Sequence, residues 1–399
     1  MQFEWGAVLN KNCETTTLKD KKTANRRHSK NCSKKIAVYS PHIPPSVVDV
    51  AVKTLRSKWI NVGPETTLFE EAFAEKFNIK YAIALNSCTS ALRLAYAIAG
   101  VGPKDEVITP AFTMMATNTA ILEQFASPVF ADVKYETANI DVSDIENRIT
   151  KKTKAITCVH NFGYPCDLKE LKEIAQAHNL ALIEDCAHAI GATYRGEYIG
   201  ANSDFACYSF AAVKHITTGD GGMLATNSEQ VFEAATKRSW FGMDRQKRDK
   251  LTGNYLLDVT EVGYKMRMNS FLAAIGREQL CFVDKILAER KKKARIYDEE
   301  LEGVNGVTLM EYDTDRENAY FLYPIHVERR QKFVEAMHKK GIEVLIQSFR
   351  NDQFSVFGKQ RKDLPNTDRI DKDSICLPIH EDLTLEDVQY IIESVKEGW

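Results

Sequence analysis

The feature that most constrains this chain is an alternation that begins at Tyr81. Short, continuously apolar runs occur at 81–85 (YAIAL), 106–110 (EVITP), 127–133 (SPVFADV), 155–160 (AITCVH), 181–186 (ALIEDC), 205–210 (FACYSF) and 222–227 (GMLATN). Helical patterns lie between them at 88–100, 114–124 and 168–178, and another follows at 228–240. The runs are too short for helices, and their lack of a polar face fits strands covered on both sides. Strand–helix alternation of this kind predicts an α/β fold, a seven-stranded and mostly parallel sheet with helices on both faces. Ligands of such sheets bind just beyond the carboxyl ends of the strands, so the polar residues there are the ones to weigh.

Three regions flank that core. Residues 1–35 hold nine Lys/Arg and almost no apolar periodicity. They have no apolar stretch that would make a secretory signal, and they read as a disordered, dispensable basic tail. The segment 45–75 is helical and is expected to pack with the C-terminal part. A long helical stretch at about 270–302 is followed by shorter strands and helices (AYFLYPIHV, QKFVEAMHKKG, TLEDVQYIIESVKEGW). The boundaries are therefore set at 36–290 for a large ligand-binding domain and 291–399 for a small α+β domain.

Charge and cysteine usage remove several function classes. The 53 Lys+Arg against 55 Asp+Glu leave a net charge of −2, which argues against a dedicated nucleic-acid binder. No run of 18 apolar residues is available to span a membrane. The nine cysteines are odd in number and include no Cys-x-x-Cys pair, as expected of reduced core thiols in a cytoplasmic protein. Cys158, His160 and Cys166 lie close together, but no second ligand pair follows at zinc spacing, and no metal site is expected.

Four clusters can do chemistry. Asn86-Ser87-Cys88-Thr89-Ser90 follows the first strand and opens a helix, where unpaired N–H groups and hydroxyls suit either a phosphate or a plain N-cap. Glu184-Asp185 ends the fifth strand, as a cap or as the partner of a cation. In YSFAAVKHITTGDGG, 208–222, Ser209 stands at a strand end and Lys214 five residues on. A lysine at such a cleft edge is either a solvated loop residue or, with its pKa lowered, an amine that forms a Schiff base with a carbonyl. GYKMRMNSFLAAIGREQL, 263–280, carries Lys265 and Arg267, as surface charges or as groups reaching an anion at a subunit interface. Taken in order along one sheet, a phosphate cradle, an acid and a Schiff-base lysine are the protein parts that a pyridoxal phosphate enzyme needs.

These stretches also resemble a known family. NSCTSALRLA, EVITPAFTMMAT, PVFADV, VHNFGYPCD, IEDCAHAIGA, SFAAVKHITTGDGG, WFGMDR and GYKMRMNSFLAAIGREQL are similar in order and spacing to the DegT/DnrJ/EryC1/StrS sugar aminotransferases, of the aspartate aminotransferase fold (fold type I). The resemblance runs from about Pro44 to Trp399. It implies pyridoxal 5'-phosphate (PLP) as cofactor, with the pyridoxamine form (PMP) as intermediate. It implies glutamate as amino donor, a nucleotide-linked keto-sugar as acceptor, and a homodimer with shared active sites in amino-sugar or polysaccharide biosynthesis. Lys214 then takes the place of the cofactor-bearing lysine, and Asp185 that of the partner of the pyridine nitrogen. His188 stands beside the ring, and Ser87, Cys88, Thr89 and Ser209 around the phosphate. Lys265 occupies the position from which a neighbouring subunit usually sends an Asn to that phosphate. Cys88 replaces the usual Gly or Ala. Met114 stands where an aromatic residue usually stacks on the ring, a role that Phe112 is the alternative to fill. Two other activities belong to the same resemblance: a PMP-dependent sugar dehydratase, in which His replaces the lysine, and a non-catalytic regulator. An amino-acid aminotransferase is a further alternative, disfavoured by the NSxTSAL and KHITTGDGG pair.

Overall fold

Tyr81–Leu85 (β1), Glu106–Pro110 (β2), Ser127–Ala131 (β3), Thr153–Val159 (β4), Ala181–Asp185 (β5), Phe205–Ser209 (β6) and Gly222–Thr226 (β7) build the central sheet of the computed structural model. Residues 35–244, 252 and 258–399 are described; the basic tail lies outside them but for its last residue, and so do Cys13 and Cys32. The spatial order is β1-β7-β6-β5-β4-β2-β3. β3, β2, β4, β5 and β6 run parallel, and β7 runs antiparallel to both β6 and β1. All seven apolar runs are therefore strands, and the fold is the expected α/β one.

Successive residues of each strand feed two cores, because side chains alternate across a sheet. On β4, Ala155 joins one buried cluster and Ile156 the other. Each fully buried Ile or Phe removes enough apolar surface from water to contribute roughly 1.5–3 kcal/mol. Helices Cys88–Ile98 (α3) and Met115–Leu122 (α4), with the Glu229–Arg238 helix, adjoin the cluster that Ala155 joins.

Two helical expectations are corrected. The segment 45–75 is a pair of helices, Pro45–Ser57 (α1) and Pro64–Lys76 (α2). Lys58 adopts a left-handed conformation (φ 60°) that ends α1, and Pro64 starts α2, where its missing N–H costs nothing. Both pack on the Ser270–Leu280 helix of the large part of the molecule, not on its C-terminal part. Phe69 and Phe73 of α2 meet Phe210 of the chain's central core. The stretch 270–302 is likewise two helices, Ser270–Leu280 and Val283–Leu301. At the break Cys281 and Phe282 donate to carbonyls three residues back, Glu278 and Gln279, which tightens the last turn. The first helix thus faces α1 and α2, and the second runs beside the Leu385–Lys396 helix.

Beyond the break, Val307–Leu309, Tyr323–Val327 and Ser374–Leu377 form a three-stranded antiparallel sheet with its own buried cluster. Ile36 joins that cluster through a bridge to Ile342. A two-stranded ribbon, Phe349–Arg350 against Phe112–Thr113, ties this C-terminal part to the segment after β2. Among the described residues no helix is long and apolar enough to cross a membrane.

Candidate active site

The strand ends converge on one cavity of about 240 Å³. Leu85 of β1 pairs with Gly222 of β7, so the turn after β1 lies against the start of β7. A Cβ on Gly222 would come 2.3 Å from the Ser87 carbonyl carbon and 2.4 Å from the Cys88 nitrogen, an approach that only glycine allows. That turn opens α3. Ser87 caps it by accepting from the Ser90 N–H at 3.1 Å. Cys88 and Thr89 are the first two residues of the helix, so their amides precede its i−4 ladder and remain available to an anion at its positive end. Ser87, Cys88, Thr89 and Ser209 all line the cavity.

Asp185, at the end of β5, forms the cavity's buried floor. Its carboxylate accepts from Thr117 Oγ1 at 2.8 Å and from the Ala187 N–H at 3.1 Å. Burial still pushes its pKa up, against those two donors and Lys214. A carboxylate in that position calls for a cationic partner. Lys214 faces it across the cavity, with Nζ 4.2 Å from the centre of the Phe321 ring. Burial brings the Lys214 ammonium down to about 8 against the opposing pull of Asp185. His188 stacks on the same Phe321 ring at 4.3 Å, and burial keeps it neutral, well below the usual histidine range. Its buried Nδ1 has no protein partner. Burial, then Asp185, raise the Cys88 thiol, so it stays protonated. Met114, at the N-cap of α4, lines the cavity mouth.

Several sequence candidates lie elsewhere. Glu184 points to the opposite side of the sheet, where it accepts from Ser203 and pairs with buried His160 at 3.3 Å. The His160 Nδ1 accepts from the Cys166 N–H at 3.0 Å, so this ring is neutral and hydrogen-bonded on both nitrogens. Phe112 is a core residue, packed among Val133, Phe162 and Phe321, and does not line the cavity. Arg267 is neither at the surface nor free for an anion, because Glu70 engages it at 2.8 Å. Lys265 is exposed and lies outside the cavity of its own chain. His215, the residue after Lys214, meets the Ala319 carbonyl at 2.9 Å and does not line the cavity. Thr117, Phe321 and Gln347 belong to the site and were missed. Thr117 had a signal: it falls three residues after Met114 within the quoted TMMAT stretch.

A lysine, a buried acid and a helix start thus meet in one cavity at the ends of a mostly parallel sheet, and comparison with known proteins shows the class of protein. Residues 43–396 match the DegT/DnrJ/EryC1/StrS aminotransferase family, and the chain belongs to it. It is 34% identical over 368 residues to the GDP-perosamine synthase of Escherichia coli O157:H7, covering 91% of this chain and 98% of that one. The crystal structure of the sugar aminotransferase CalS13 from Micromonospora echinospora superposes with a TM-score of 0.87 at 33% identity, covering 91% of this chain and all (100%) of that chain. The protein Spr1654 from Streptococcus pneumoniae is known in a PLP form and a PMP form; the PLP form matches at a TM-score of 0.84 and 29% identity, over 91% of this chain and 98% of that one. The fold is thus that of the sugar aminotransferases, fold type I, as the sequence implied.

Proposed function

We propose that this chain is a PLP-dependent aminotransferase that moves an amino group from glutamate to a nucleotide-linked keto-sugar in the cytoplasm. The observation that supports it most is the meeting of Lys214, Asp185 and the Ser87–Thr89 helix start in one cavity. The residues fit the cofactor. Gly222 leaves the Cys88 amide open to a phosphate, and Asp185 is a buried acid in want of a cation. His188 offers an unpartnered Nδ1 beside them.

When bound, the cofactor supplies an electron sink that eases proton loss from the carbon bearing the amino group. The chain's own residues do the rest. The Cys88 and Thr89 amides, with the Ser87, Thr89 and Ser209 hydroxyls, hold the phosphate. Asp185, fixed by Thr117 and the Ala187 N–H, keeps a proton on the pyridine nitrogen. The Lys214 amine, near neutrality at about pH 8, holds and then returns the migrating proton at Nζ. Neutral His188 packs beside the ring without adding a charge.

Lys265 is proposed to serve a neighbouring subunit. Among the described residues that line the cavity Lys214 is the one cation, so a dianionic phosphate would gain from a second positive partner. Exposed Val48, Val52 and Leu55 form one face of α1, followed by exposed Trp59 and Ile60. This apolar stripe adjoins the Lys265 segment, because the Asn61 carbonyl accepts from the Ser270 N–H at 3.0 Å. A second copy of the chain would cover both features in a two-fold dimer.

The test is to incubate the protein with PLP, glutamate and a panel of UDP-, GDP- and dTDP-linked keto-sugars. Release of 2-oxoglutarate together with an aminated sugar nucleotide is expected. A folded, cofactor-loaded protein that aminates none of them would sink the reading. The dehydratase and regulator alternatives gain nothing from the geometry, since Lys214 and Asp185 both line the cavity and His215 does not.

A further inference from the structure

Among the described residues that line the cavity, Gln347 alone comes from the C-terminal part of the chain. Its position is built from both sides. Two residues before it, Leu345 and Cys376 exchange backbone hydrogen bonds of 3.1 and 2.8 Å. Two residues after it, Phe349 pairs with Thr113, which is adjacent to Met114 of the cavity wall. Asn351 locks that ribbon: its N–H donates to the Ala111 carbonyl at 2.8 Å, its Nδ2 to the Thr113 carbonyl at 2.9 Å, and its Oδ1 accepts from Asn118 Nδ2 at 2.9 Å. Arg350 adds a buried double contact to Asp352 at 2.8 and 2.7 Å. Such anchoring exceeds what a surface glutamine needs.

The Gln347 side chain is itself oriented. Tyr39 donates its O–H to Gln347 Oε1. Tyr39 in turn packs on Phe321 at 5.8 Å, the ring that also supports His188 and Lys214. With Oε1 taken, Nε2 keeps two N–H donors, fixed on the same frame as Lys214. They can donate to an oxygen acceptor on whatever enters.

The charge of the site selects among acceptors. Lys214 is the lone cation of the described lining, against Asp185 and Asp220. A dicarboxylate amino donor is bound best by guanidinium or ammonium groups. A neutral, oriented amide is suited to a hydroxyl, which it can recognise without a counter-charge.

We infer that Gln347, held by Tyr39, is a specificity residue for the sugar acceptor, and that its amide N–H groups bind a hydroxyl oxygen of the keto-sugar ring. This rests on the proposed keto-sugar amination. It adds a residue that acts chiefly on the choice of the second substrate. Loss of one neutral hydrogen bond lowers binding about tenfold.

The experiment separates the two half-reactions in the loaded enzyme. The wild-type chain is first assayed with the UDP-, GDP- and dTDP-linked keto-sugar panel, and the sugar it aminates fastest is the probe. Gln347→Leu is expected to raise the KM for that sugar about tenfold. The rate at which glutamate alone converts the bound cofactor, read by its visible absorbance, should change by a much smaller factor. Tyr39→Phe, which frees Oε1 and lets the amide turn, should raise the same KM by a smaller factor. An unchanged sugar KM in Gln347→Leu would overturn the inference. So would equal slowing of both half-reactions, which would mark a purely structural role, or slowing of the glutamate step alone, which would mark a carboxylate site. Failure of the wild-type chain on every sugar overturns the parent reading, and this inference with it.

Discussion

A lysine set against a phenyl face in a poorly hydrated cavity gives up its proton more readily than one in water, and Lys214 does so at about pH 8. Lys214→Ala should leave a folded protein with no measurable transamination, since no other primary amine lines the cavity among the described residues. The same burial costs stability. The Lys214 pKa falls from 10.5 to about 8 on folding, so between those values the unfolded chain binds the extra proton. Stability of the cofactor-free protein therefore rises with pH across that window, and the penalty is complete below pH 8. Lys214→Met should accordingly melt about 1–3 °C higher than wild type near pH 7, with the gap closing toward pH 10.5, in calorimetry of the cofactor-free forms. Asp185→Asn should retain cofactor yet lose most turnover, about 10²-fold or more, because a neutral amide cannot hold the pyridine proton. Thr117→Val should show a milder loss of roughly tenfold, restored by Thr117→Ser, because the threonine acts by fixing Asp185. Lys214, Asp185 and Ser209 were legible because each stands at or just past a strand end, where chain order locates it, whereas His188 came from the family resemblance alone. Thr117 and Gln347 were hidden because they reach the cavity through contacts with distant residues. Phe112 misled because the two residues of a short strand face opposite ways, and its ring turns inward to the core while Thr113 lines the cavity.

Gly222 shows how one element shapes another. The atoms that a side chain would strike there are backbone atoms of the α3 start, which cannot swing aside. Gly222→Ala should destabilise by about 1–3 kcal/mol and also weaken cofactor retention, as measured by urea unfolding and by gel filtration of the loaded protein. A stability loss with unaltered retention would mean that the cradle tolerates the shift. On the far face of the sheet, His160→Ala would strand Glu184 without its ring partner at a fully buried site. Removing a hydrogen-bond partner from a buried carboxylate typically costs about 1.5–3 kcal/mol, and the emptied ring volume adds to it, so this variant should unfold at clearly lower urea than wild type. The strands were legible almost to the residue because a doubly buried strand has to be apolar throughout. The helices were less so. Periodicity continues across 270–302 and does not register the turn at Cys281–Phe282, which is set by what each half packs on. The apolar face of α1 matched a helix as expected but gave no sign of being exposed.

For the whole molecule the decisive matter is assembly. If Lys265 serves the neighbouring cavity, mixing inactive Lys214→Ala with inactive Lys265→Glu should restore activity, because each hybrid dimer contains one site free of both lesions. Light scattering should report a dimer or a multiple of it at micromolar concentration. Full activity in a monomer, or no recovery between variants shown to exchange subunits, would remove the shared site. The antiparallel placement of β7 has a consequence of a different kind, in time. The phosphate cradle is closed only when Gly222 docks beside the Leu85–Cys88 turn, and those residues are far apart in the chain. A ribosome releases the turn long before the glycine that completes it. Contacts between such distant segments form late, after loop closure has been met by other pairings. Cofactor capture should therefore follow, not guide, the assembly of this sheet, and a nascent chain that stops short of β7 would lack the closed cradle that holds the phosphate in place.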